Sequence, residues 1–128
     1  MRIATYNVEW MSNLFDDAGN LQMDDRWSGR RDVTRAQQLQ ALKRVFREVD
    51  ADAVMIIEAP DGHKRRDGVA ALRNFAAWAG LRAGEALMGF DNETQQENAS
   101  MAASGSTSTS MTRPIPFAGQ SPRWSWTA

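Results

Sequence analysis

Two short apolar runs separated by one amphipathic stretch constrain the fold of this chain more than any other feature. Arg2 to Val8 is short and carries Ile, Thr, Tyr and Val, the composition of a buried strand. Ala53-Val54-Met55-Ile56-Ile57 is continuously apolar, the pattern of a strand covered on both faces. Between them Thr34 offers an N-cap with Gln37 three residues on, a capping-box pattern. Leu39, Leu42, Val45, Phe46 and Val49 then fall on one helical face, and Asp50-Ala51-Asp52 ends the helix. Glu58-Ala59-Pro60-Asp61-Gly62 reads as the turn closing the second strand. Val69, Leu72, Phe75 and Ala76 mark a second amphipathic helix, closed by Gly80. Asp16 to Arg31 reads as a long polar loop, and Leu81 to Phe90 has room for a short strand or hairpin. The order strand–helix–strand–helix predicts an α/β fold, a sheet with covering helices.

Composition sets the limits. The chain has 128 residues, enough for one domain. Hydrophobic residues at 42% and charged residues at 24% are ordinary for a globular domain. A net charge of −1 carries no strong basic field toward nucleic acid. The absence of cysteine excludes a disulfide scaffold, a thiolate metal site and a cysteine nucleophile, and suits a reducing, cytoplasmic location. No apolar run approaches the roughly 18 residues of a membrane span. Met1-Arg2-Ile3 runs straight into strand-like sequence, so no signal peptide is expected.

The averages conceal a break. All sixteen acidic residues lie at or before Glu97, and from Asn98 to Ala128 there is no Asp, Glu, Lys, Leu or Val. Ser104 to Ser110 is polar and of low complexity, and Trp124 and Trp126 stand oddly at the end of such a segment. The expected organisation is an ordered unit over 1–97 and a low-complexity tail over 98–128, disordered or read in the wrong frame.

Chemistry is expected at two strand ends. Asn7 lies near the C-terminal end of the first strand, and Glu58 follows the second. Open α/β sheets place ligands at that rim. If the strands are neighbours, a carboxylate and an amide oxygen converge there, donors suited to Mg²⁺, which prefers oxygen and keeps several waters. Read blandly, Glu58 is a solvated strand cap and Asn7 a turn residue.

Thr5-Tyr6-Asn7-Val8-Glu9-Trp10, followed across one helix by Ile56-Ile57-Glu58, resembles the endonuclease/exonuclease/phosphatase superfamily, which has the DNase I-like fold. The first segment is similar to that family's strand ending in Asn, the second to its apolar strand ending in a metal-binding Glu. The resemblance runs from Met1 to about Glu97. It implies a partial DNase I-like α/β sandwich in which Glu58 holds Mg²⁺ and Asn7 helps position the metal and the scissile phosphate. It further implies a phosphoester substrate, nucleic acid among the candidates, with a His–Asp pair activating water.

The chain departs from the family where the later motifs belong. No Ser-Asp-His segment is present, and Gly89-Phe90-Asp91-Asn92 holds the letters of an Asp-Phe-Asn motif in the wrong order, so it reads as a loop. His63, the only histidine, sits in the polar run His63-Lys64-Arg65-Arg66, which reads more readily as solvated surface than as a base with phosphate ligands. Trp27 and Arg30 in the long loop are further candidates for substrate contact. The family domain is roughly twice this length, with two packed sheets. The chain is therefore expected to be a truncated, inactive member. One permitted back-translation of Ser106 to Pro122, read one base out of register, gives an alternating Asp-Ile-Asp-Ile string and then a basic–aromatic segment. That suggests a frameshift between about Glu97 and Ser106. The alternatives are a non-catalytic α/β binding module with a flexible Ser/Thr-rich tail and a regulatory subunit completed by a partner.

Overall fold

The computed structural model describes residues 1–62, 65–89 and 97–105. Strand β1 (Ile3–Asn7) leads through a single 3₁₀ turn (Ser12–Leu14) and a long loop into helix α1 (Arg35–Val49). Strand β2 (Ala53–Ala59), helix α2 (Gly68–Ala79) and strands β3 (Glu85–Met88) and β4 (Glu97–Ala102) follow. The architecture is mixed α/β, a four-stranded sheet of order β1-β2-β4-β3 with two helices. β1 and β2 run parallel, as a helical crossover demands, while β4 is antiparallel to both β2 and β3.

The helices form where the sequence places their caps. Thr34 accepts a hydrogen bond from the Gln37 amide, and the Gln37 side chain accepts one from the Thr34 amide, completing the capping box. Gly80 ends α2 in the left-handed conformation that lacks a Cβ penalty, φ +68°. Both helices pack on one face of the sheet. Leu39, Leu42 and Phe46 of α1 and Leu72, Phe75 and Ala76 of α2 bury against Val54 and Ile56 of β2 and Ala99 and Met101 of β4. An aromatic file links the layers, with ring centroids 5.4 Å apart for Tyr6–Phe46, 5.3 Å for Phe46–Phe75 and 6.1 Å for Phe75–Trp78. No helix among the described residues is long and apolar enough to cross a membrane.

Four expectations need correction. The apolar run of β2 is not covered on both faces by described residues: Met55 is 53% exposed, beside Ile3 and Leu87 on the same open side. Val45 and Val49 lie at the edge of the α1 contact face and stay exposed. β2 continues through Glu58 and Ala59, so Glu58 belongs to the strand and not to a turn. Finally, the boundary expected at 97/98 falls inside β4. Ala99 to Ala102 pair with both β2 and β3 in the middle of the sheet, so the compositional break precedes the end of the fold. The Ser106–Pro122 segment lies outside the described residues.

Candidate active site

The parallel register aligns Asn7 with Ile57, and the pairing carries on past the strand end. Val8 donates to the Ile57 carbonyl at 3.1 Å and Met11 to that of Glu58 at 3.2 Å. Strict alternation along β2 would send Glu58 to the helix side with Val54 and Ile56. It does not go there, because the register with β4 shifts between Ile56 and Ala59 and Glu58 takes φ +62°. A bulge of this kind re-aims a side chain. Glu58 thus meets Asn7, whose Nδ2 donates to Glu58 Oε1 at 3.2 Å. The orientation of the Asn7 amide follows from its other partner. The Glu9 backbone N–H is a donor and lies 2.8 Å from Oδ1, so nitrogen must face the carboxylate.

The chain beyond β1 is equally irregular. Glu9 and Trp10 have φ of +53° and +68°. Glu9 is thereby brought against the long loop, with Arg30 at 3.4 Å and Arg31 at 3.6 Å from its two carboxylate oxygens. That loop is well built. Ser28 is buried, its carbonyl accepts from Asn13 Nδ2, and its N–H donates to Val33. Trp27 Nε1 donates to the Arg31 carbonyl at 2.6 Å. Gly29 sits at φ +94°, a backbone conformation that favours glycine over residues with a side chain. Between this loop, the end of β1 and α1 lies an open cleft of about 280 Å³ lined by Asn7, Glu9, Arg30, Arg31 and Gln38. Tyr6 also lines it, and its hydroxyl is held above the usual tyrosine range by burial and, secondarily, by the Glu9 charge.

The donor set suits a hard cation at one residue more than at two. The half-exposed Glu58 carboxylate offers oxygen at the rim, and Mg²⁺ needs only one or two carboxylates besides water and phosphate oxygens. Asn7 Oδ1 is engaged by the Glu9 amide, so in this geometry Asn7 orients Glu58 and does not offer its oxygen beside it. Among the described residues no group of three or more His, Asp or Glu gathers as a metal cage.

Of the other candidates, His63 and Lys64 lie outside the described residues, as do Phe90, Asp91 and Asn92. Arg66 is taken up by Asp61 at 2.9 Å and Asp17 at 3.6 Å, and is no free phosphate ligand. Trp27 is 67% exposed and braces the loop through its indole N–H. Sequence reasoning passed over Glu9 and Arg31. Three charged residues within reach of Asn7 are visible only once the long loop folds back on β1, although Gly29 beside Arg30 and Arg31 hinted at a shaped turn. No family model, curated protein or solved structure matches the chain.

Proposed function

We propose that the chain carries the metal-binding corner of a magnesium-dependent phosphoesterase of the endonuclease/exonuclease/phosphatase type, with the DNase I-like fold. The observation that supports this reading is the Asn7–Glu58 hydrogen bond at the adjacent C-terminal ends of two parallel strands, made by a glutamate held in left-handed backbone. Strained non-glycine residues concentrate where a site requires them. In this reading Glu58 holds the cation and Asn7 fixes the carboxylate's rotamer and keeps it turned to the rim. Bound there, Mg²⁺ would polarise a phosphoryl oxygen and stabilise the charge that develops on it. Activation of water needs a base, and the chain's single histidine stands outside any Ser-Asp-His context, so this chain alone does not turn over substrate.

The test is Mg²⁺ binding by titration calorimetry, with hydrolysis of bis(p-nitrophenyl) phosphate measured in parallel. Glu58→Gln is expected to abolish cation binding, and neither protein to hydrolyse the ester. Unchanged Mg²⁺ affinity in Glu58→Gln removes the metal assignment. Mg²⁺-dependent hydrolysis lost in that variant shows instead that the chain supplies its own base.

A further inference from the structure

We infer that Arg30 and Arg31 form a phosphate subsite in the cleft beside Asn7, and that Glu9 is the internal carboxylate a terminal phosphate displaces. The inference deepens the phosphoesterase reading and rests on it for the identity of the ligand as substrate. Its geometry stands independently.

Two guanidiniums converge on one carboxylate at contacts of 3.4 and 3.6 Å, longer than a good charge-assisted hydrogen bond. Glu9 therefore offsets only one of the two positive charges and leaves their donors unsaturated. Arg30 Nε is buried and has no hydrogen-bond partner, and Arg30 lines the cleft. Buried polar atoms are nearly always satisfied, so an unsatisfied guanidinium donor lining a cleft asks for an acceptor. The ligand that answers two forked cations is a tetrahedral oxyanion with several acceptor oxygens. An Arg fork matches two phosphate oxygens, and two such forks match the double charge of a phosphate monoester better than the single charge of a diester.

The loop is built to hold this pair in place. Gly29 and Arg31 both have positive φ, and the Trp27 indole pins the Arg31 carbonyl. Only the guanidinium ends remain free to exchange partners. Glu9, on its own left-handed backbone, holds Asn7 through its amide and the arginines through its carboxylate. Displacing the carboxylate leaves the amide contact to Asn7 in place, so anion entry does not dismantle the neighbouring metal corner.

The experiment uses the full chain without divalent cation, titrated with inorganic phosphate and separately with dimethyl phosphate, and followed by amide NMR shifts. Phosphate is expected to bind and to move the resonances of Glu9, Arg30 and Arg31. Each of Arg30→Gln and Arg31→Gln should weaken it about tenfold, the worth of one charged hydrogen bond. Arg30→Lys, which keeps the charge and loses the fork, should fall between. Glu9→Gln should tighten binding several-fold by removing the competing carboxylate, and Glu58→Gln should not weaken it. Phosphate binding that survives the double arginine-to-glutamine variant overturns the subsite. So does its absence from both the native chain and Glu9→Gln. Dimethyl phosphate binding as tightly as phosphate overturns the monoester preference. Because Mg²⁺ is left out, loss of the metal assignment at Glu58 leaves these outcomes readable.

Discussion

Glu58 adopts a backbone conformation that its residue type disfavours, and the same conformation lets it reach Asn7. A left-handed non-glycine residue costs about 1–2 kcal/mol. Glycine at that position would relieve the strain and lose the carboxylate, at some cost in unfolded-chain entropy. Glu58→Gly is therefore expected to be neutral or to stabilise the fold by up to about 1 kcal/mol, measured by urea denaturation, while Mg²⁺ binding disappears. A loss of stability beyond 1 kcal/mol would mean that Glu58 serves the fold. At this scale the sequence was informative about position and silent about geometry. Asn7 and Glu58 were legible as residues at two strand ends, because an apolar run ends at each. The bulge was not legible, because nothing in Ile56-Ile57-Glu58 announces positive φ. Glu9 was hidden for the same reason.

At the scale of elements, periodicity and caps located α1 and α2, and apolar runs located β1 and β2. β4 escaped because its alternation is written in small and polar residues. Glu97, Ala99 and Met101 are buried while Asn98 and Ser100 are exposed, a clean period of two with little hydrophobicity in it. The strand is nevertheless central, and Met101, with no exposed surface, packs in the core beneath both helices. Met101→Ala is expected to cost about 2–5 kcal/mol in denaturant unfolding. A cost below about 0.5 kcal/mol, the level of a surface change, would show that residues after 97 contribute nothing to the fold. Buried Glu97 adds to the difficulty of reading this strand: its Oε2 accepts from the Gly62 amide at 3.3 Å, and a buried carboxylate is a poor strand signal.

Across the molecule, the sheet is closed on one side and open on the other among the described residues. The candidate site and a charged clamp lie at opposite ends of β1 and β2. At the far end Arg82 donates to Asp50 Oδ1 at 2.9 Å, to Asp52 Oδ1 at 2.7 Å and to the Asp50 carbonyl at 2.9 Å. Asp52 also accepts from the Arg2 amide at 2.6 Å, and its carbonyl accepts from Ala103. The guanidinium ties the end of α1 to the start of β2, and Asp52 in turn holds the start of β1 and the residue after β4. The Arg82 hydrogen bond holds the Asp50 carboxyl below its ordinary 3.8; the Arg2 amide, then Arg82, does so for Asp52. Because both folded-state values are depressed, the clamp's contribution is fully present above the ordinary carboxylate range and is lost as pH falls through the depressed values. Arg82→Met should accordingly be less stable than the native chain at pH 7, with the difference closing as pH drops below 3.8. Denaturant midpoints of the two proteins from pH 7 to pH 2 measure this directly. Asp50 is exposed and Asp52 partly so, and added salt should also shrink the gap at pH 7. A gap that is the same at pH 2 and pH 7 would assign the effect of Arg82 to packing of its aliphatic stem. In that case the clamp would not make acid stability a property of the whole sheet.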